Sequence, residues 1–274
     1  MINRKDYPYP VSKLISRGRI KTPALKPEAW VNYVAHYGFG EMEAPSLIGL
    51  ALEERKFNKK QPNSFYAPIH AVRALGQLGD MAAEDYLVEL LDRHEDDDLS
   101  ENVIMALTML SPRVPALLAH YFHRPSTLPE SCSRAAEALY LFAKRRPDQR
   151  DPCVQMLTDA LRGYQRQTAL LNGFIIYFLI KLEATVAAEV IAQAFAAQQV
   201  EDDLTGSWAS VQVALGLAKE SDFTEDELLS AGDRALNQRR RAVKTQPTLS
   251  GPSKQRIETA GLSSSYSILE HLKR

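Results

Sequence analysis

The apolar positions of this chain fall at helical spacing, and they do so in copies. The pairs Ala74-Leu75 in AVRALGQL, Ala106-Leu107 in NVIMALTML and Ala138-Leu139 in RAAEALYLF lie 32 residues apart each time. Around them sit Ala71, Ala74, Leu75 and Leu78, then Val103, Ala106, Leu107 and Leu110, then Ala135, Ala138, Leu139 and Phe142. That spacing gathers each set on one face of a helix, so the three segments are predicted to be copies of one amphipathic helix. Each is followed, after a short break, by a second amphipathic stretch. These are marked by Leu87, Leu90 and Leu91, by Leu117, Leu118 and Tyr121, and by Met156, Leu157 and Leu161. The repeating unit is a helical hairpin.

Two further pairs extend the array. LLNGFIIYFLIKL followed by ATVAAEVIAQAFAAQ makes a fourth, displaced because KRRPDQRDP lengthens the turn before it. PEAWVNYVAHYGF followed by EMEAPSLIGLALEERK makes an earlier one. Turns are expected at Gly79-Asp80, Ser111-Pro112, Pro147-Asp148 and Asp151-Pro152. No strand-like run competes. The fold class is all-α, an α-solenoid of about five hairpins over residues 27–217, in which each hairpin buries its apolar face only against its neighbours. LLNGFIIYFLI, apolar nearly all round, is expected to be the most buried helix.

The ends differ in character. Thr224-Glu225-Asp226-Glu227 has the form of a capping box and predicts a helix over 225–241, the main element of a segment 218–243. Residues 244–274 read as a flexible tail, since Thr245 to Ser265 offers too little apolar surface to offset its ordering entropy. Within it, SYSILEHLKR carries Ile268, Leu269 and Leu272, either a frayed end or a docking motif. Residues 1–26 form a basic N-terminal segment, read as a solvated tail.

Composition agrees with a globular body, at 45% hydrophobic and 24% charged residues. No apolar run reaches membrane-spanning length, MINRKDYPYP has no signal-peptide core, and two cysteines build no disulfide framework. A cytoplasmic protein without a membrane span is expected. The net charge of −1 conceals an asymmetry. Residues 1–26 carry seven Lys or Arg against one acid, whereas 27–218 carry 16 against 25. An acidic body is poor ground for nucleic acid, whose phosphates need cations.

Candidate chemistry is sparse. His120 and His123 share a helix face, yet nothing nearby completes a metal site. Cys132 lies near a helix start, where thiols are activated, but for it and Cys153 a packing role is the commoner fate. The run His94-Glu95-Asp96-Asp97-Asp98 lacks the glycine and distal glutamate of a calcium loop and reads as an acidic turn, the place to look for a basic partner. No phosphate-cradling glycine loop, nucleophile elbow or zinc-protease motif occurs. No cofactor and no catalytic set is implied.

YAPIHAVRALGQLGDMAAEDYLVELLD resembles a HEAT-type repeat of the short bacterial kind, also found in phycobilisome lyase-like proteins. The order of segments through LNGFIIYFLIKLEATVAAEVIAQAFAAQQVEDDLTGSWASVQVALGL is similar to bacterial, often cyanobacterial, HEAT-repeat proteins. The resemblance covers roughly residues 28 to 217 and implies the fold. For function it admits a non-enzymatic scaffold or adaptor for a protein partner, a subunit or chaperone of a bilin-attachment system, or a nucleic-acid-handling HEAT protein. The acidic body and the missing catalytic set favour the first. Its partner-binding residues are expected among Glu95, Asp96, Asp97, Asp98, Ile268, Leu269 and Leu272.

Overall fold

The computed structural model describes residues 2–56, 59–93, 96–124 and 128–245. His94, Glu95, Ile268, Leu269 and Leu272 lie outside the described residues. The chain divides into two compact units, Met1–Ala235 and Leu236–Arg274.

Among the described residues the protein is all helical, without strands. Its helices are α1 (Tyr33–Tyr37), α2 (Ala44–Leu52), α3 (Ala67–Leu78), α4 (Ala83–Glu89), α5 (Asp97–Leu107), α6 (Val114–Tyr121) and α7 (Pro129–Arg145). There follow α8 (Arg150–Leu161), α9 (Ala169–Lys181), α10 (Ala188–Ala196), α11 (Asp202–Thr205), α12 (Trp208–Ala214), α13 (Glu225–Leu228) and α14 (Ala231–Thr245). Their ends follow local chemistry. Asn32, Asp96, Thr168 and Ser207 accept backbone N–H bonds at the starts of α1, α5, α9 and α12. Gly38 and Gly79 close α1 and α3 in the left-handed conformation, which glycine adopts at no steric cost.

The helices predicted to be copies of one another lie side by side, α3 against α5, α5 against α7 and α7 against α9. The helices that follow them also meet in order, α4 with α6, α6 with α8, and α8 with α10. Of the predicted faces, Leu78, Leu117 and Met156 are half-buried; Val103, Ala106, Leu107, Leu110, Ala135, Ala138, Leu139 and Phe142 are all in the core. The 32-residue spacing also carries polar residues. His70, Asn102 and Arg134 each stand four residues before an aligned alanine, and all three are buried.

Long-range arginine contacts tie distant parts of the chain together. Arg93 donates to the carbonyls of Leu52 and Glu53 at the end of α2, Arg146 to those of Met109 and Leu110 after α5, and Arg150 to those of Leu182 and Glu183 after α9. A cation at a helix C-terminus meets carbonyls left without partners and the negative end of the dipole.

Four expectations need correction. The N-terminal segment is not a solvated tail: Val11, Leu14 and Ile15 are buried on a 3-10 turn (Val11–Ser16) packed against α3 and against the turn Pro62–Tyr66. Their apolar pattern is short enough to be lost among the surrounding charges. The helix predicted over 225–241 is two helices, because Leu229 is extended and Ser230 starts a second cap by accepting from Asp233. Asp151-Pro152 lies within the first turn of α8 rather than in the turn before it, a place where proline loses no helical bond. The most enclosed helix is α3, with ten of twelve residues buried, ahead of α9 with eight of thirteen. The cause is tertiary: α1, α2, α5 and the N-terminal segment all cover α3.

Candidate functional site

Asp96, at the N-cap of α5, and Asp97 and Asp98, which form its first turn rather than a solvated loop, lie on a cleft of about 960 Å³, lined also by Asp92 and Arg93 and by Glu54, Arg55 and Phe65 from the stretch between α2 and α3. Several of these groups are positioned by residues far along the chain. The Arg55 side chain, 3% exposed, lies 4.2 Å from the centroid of the Phe65 ring and donates from Nε to the Phe65 carbonyl at 3.1 Å. Its guanidinium pairs with Asp96 and, at 3.5 Å, with Asp98. Asp96 simultaneously accepts from the Leu99 N–H at 3.1 Å and caps α5. Asp97 pairs at 2.7 Å with Arg134, which reaches over from α7. Asp92 accepts from the Tyr121 hydroxyl, and burial together with this bond pushes the Tyr121 pKa upward.

Three of the four acids predicted from the turn are therefore brought together in one cleft, and each already has a basic partner. Arg55 is buried, so removing Asp96 would leave its charge partly uncompensated. Asp97 and Asp98 are 60% and 77% exposed, so their pairs add little stability and leave oxygens facing solvent. Five carboxylates against two guanidinium groups leave the lining with an excess of three negative charges. Sequence reading missed Arg55, Phe65 and Arg93; Arg55 stands 41 and 43 residues from the carboxylates it meets, and Arg93 stands 40 and 41 from the carbonyls it meets. No spacing within one repeat marks them. The buried polar set His70, Asn102 and Arg134 did have a signal, their shared 32-residue phase.

The remaining candidates separate clearly. Cys132 and Cys153 are both buried, and burial pushes each thiol up to about 11, the reverse of what an attacking thiolate needs. His120 and His123 are exposed on and just after α6. Glu201, Asp202 and Asp203 bring three carboxylate oxygens within 4.8 Å of one another. Two of them have structural work: Asp202 accepts from the Ala231 N–H and Asp203 from the Ser230 hydroxyl, holding the start of α14. Glu137 on α7 faces Arg134 and Glu101, and burial raises its carboxyl to about 7. Trp208 packs on Phe195 with ring centroids 5.9 Å apart. No helix of the described residues is long and apolar enough to cross a membrane. Compared with protein families, characterised proteins and solved structures, the chain matches none.

Proposed function

We propose that this chain is a HEAT-type α-solenoid that acts as a non-enzymatic scaffold, and that the cleft at the start of α5 receives a Lys- or Arg-bearing segment of a protein partner. The cleft carries the reading. It is open, it holds an excess of three negative charges, and its outward carboxylates Asp97 and Asp98 are anchored by arginines from adjoining hairpins. A surface whose acids are fixed before binding loses little side-chain entropy when a cation arrives. Charge complementarity of this kind sets specificity and on-rate. The succession of like helices, α3 to α5 to α7 to α9, supports the solenoid part.

Glu54 and Asp98 are the residues to test, since both side chains are more than 70% exposed and neither holds the fold. Full-length protein is titrated by fluorescence anisotropy with labelled peptides carrying Lys or Arg at varied spacing, and with acidic counterparts. The reading expects at least one basic peptide to bind saturably and salt-sensitively, and E54K/D98K to weaken it by about tenfold or more, the equivalent of about 1.4 kcal/mol. Equal binding to E54K/D98K, or retention of acidic peptides alone, overturns it.

A further inference from the structure

A second concave site lies where the N-terminal segment crosses α3, and its chemistry is opposite to that of the acidic cleft. It encloses about 370 Å³ and presents Arg17, Arg19, Lys21 and Arg73 together with Tyr33 and His70; no carboxylate is among its lining residues. We propose that this pocket binds the phosphate monoester group of a small organic molecule.

Arg73 forms part of the pocket wall. This side chain is 1% exposed and lies over the Trp30 ring with its guanidinium carbon 4.5 Å from the centroid. Its hydrogen bonds go to neutral acceptors: Nε to Asn102 Oδ1 at 2.6 Å, Nη1 to Thr22 Oγ1 at 2.6 Å and Nη2 to the Thr22 carbonyl at 2.8 Å. Burial lowers its pKa only to about 10, so it stays cationic at neutral pH. A buried charge held by neutral partners alone is electrostatically costly. An anion seated in the adjoining pocket offsets that cost; Asp98 and Glu101 line a neighbouring hollow that shares Arg19, Ile20, Thr22 and Arg73 with it, and neither forms an ion pair with Arg73.

The other cations converge without being neutralised. Among the described residues the ion pairs involve other arginines and a lysine elsewhere, and none includes Arg17, Arg19, Lys21 or Arg73. Arg17 is fixed in advance: it donates to the Tyr37 hydroxyl and lies 5.4 Å from the ring centroids of both Tyr33 and Tyr37. His70 adds shape rather than charge. Its Nε2 is 2.8 Å from the Gly18 carbonyl, which only accepts, so Nε2 carries the proton and Nδ1 accepts from Tyr33 at 2.7 Å. Arginine forks match the oxygens of a phosphate bidentately, and a monoester brings about 1.5 to 2 negative charges at neutral pH, more than a carboxylate offers to four cations. The volume sits at the low end of the roughly 300–1,000 Å³ range of small-molecule sites, with room beyond a bare ion. Ile20 and Val31 supply the apolar wall for an attached organic group.

The test uses the full chain and isothermal titration calorimetry with phenyl phosphate, inorganic phosphate and acetate, beside co-sedimentation with phosphatidylcholine vesicles with or without phosphatidic acid. Saturable binding of phenyl phosphate, tighter than inorganic phosphate and absent for acetate, is expected. Arg19 and Lys21 are exposed, so R19S/K21S should weaken that binding about tenfold or more, the worth of a single charge-assisted hydrogen bond, with Tm unchanged. Recruitment to phosphatidic acid vesicles, abolished by R19S/K21S and stronger than binding of the soluble probes, would support the site and assign its phosphate to a lipid headgroup. No saturable binding of any phosphate probe at millimolar concentration overturns the proposal. So does binding by R19S/K21S equal to the unmodified chain, or acetate bound as tightly as phosphate.

Discussion

Gly76 and Gly49 are both helical glycines, and the structure sets opposite outcomes for the same substitution at the two. In α3, a methyl added at Gly76 would lie 2.9 Å from both Cα and Cβ of Ala106 on α5 and 3.3 Å from the Ala106 carbonyl oxygen, where ordinary contacts begin at 3.4 Å. Backbone is being met, so α3 and α5 must separate by several tenths of an ångström and loosen the packing of Ala71, Ala74 and Leu75. Overpacking of this kind costs about 1–3 kcal/mol, while the change from glycine to alanine returns about 1 kcal/mol of helix propensity. G76A should therefore destabilise by about 1 kcal/mol. In α2, Gly49 is exposed and its added methyl would meet only Tyr7 Cε1 at 3.9 Å. There the propensity gain stands alone, and G49A should stabilise by about 0.5–1 kcal/mol. The two variants should differ by about 2 kcal/mol. Thermal unfolding followed by circular dichroism resolves this, since 1 kcal/mol corresponds to about 2–4 °C in a chain of this size. A rise in Tm for G76A like that of G49A would refute the close approach of α3 to α5, and with it the stacking of the repeats.

Two further outcomes follow from buried groups. Leu14 is fully buried, so L14A should cost about 2–5 kcal/mol by chemical denaturation; an unchanged midpoint would return residues 1–26 to the status of a tail. His70 has its pKa lowered from 6.5 to about 4, chiefly by burial, with the charges of Arg17 and Arg73 beside it acting in the same direction. Folding favours the neutral ring, so its contribution is complete above pH 6.5 and is lost as the pH falls towards 4, by about 3 kcal/mol in all. H70Q, which retains an N–H for the Gly18 carbonyl and has nothing to titrate, should lose that much less stability between pH 6.5 and 4. Parallel pH profiles for the two proteins would show that His70 is not buried as described.

The repeated helices were legible because their determinant is one-dimensional: apolar residues at i, i+3, i+4 and i+7, copied every 32 residues, specify both a helix and the face it buries. Caps and turns were equally local, as the accepting side chains of Asp96 and Thr168 and the left-handed Gly79 show. The same local view read Arg17, Arg19 and Lys21 as a charged tail and Asp96, Asp97 and Asp98 as a solvated loop. What gives them meaning lies far along the chain: Arg73 is 51 residues from Thr22, Arg55 is 41 from Asp96 and Arg134 is 37 from Asp97. A charged side chain carries no sequence mark of whether it will meet water, a counter-ion or a carbonyl. That outcome depends on which helices the apolar faces bring together, and so the acidic cleft and the basic pocket emerge only once α3 and α5 are packed and the N-terminal segment has closed over them.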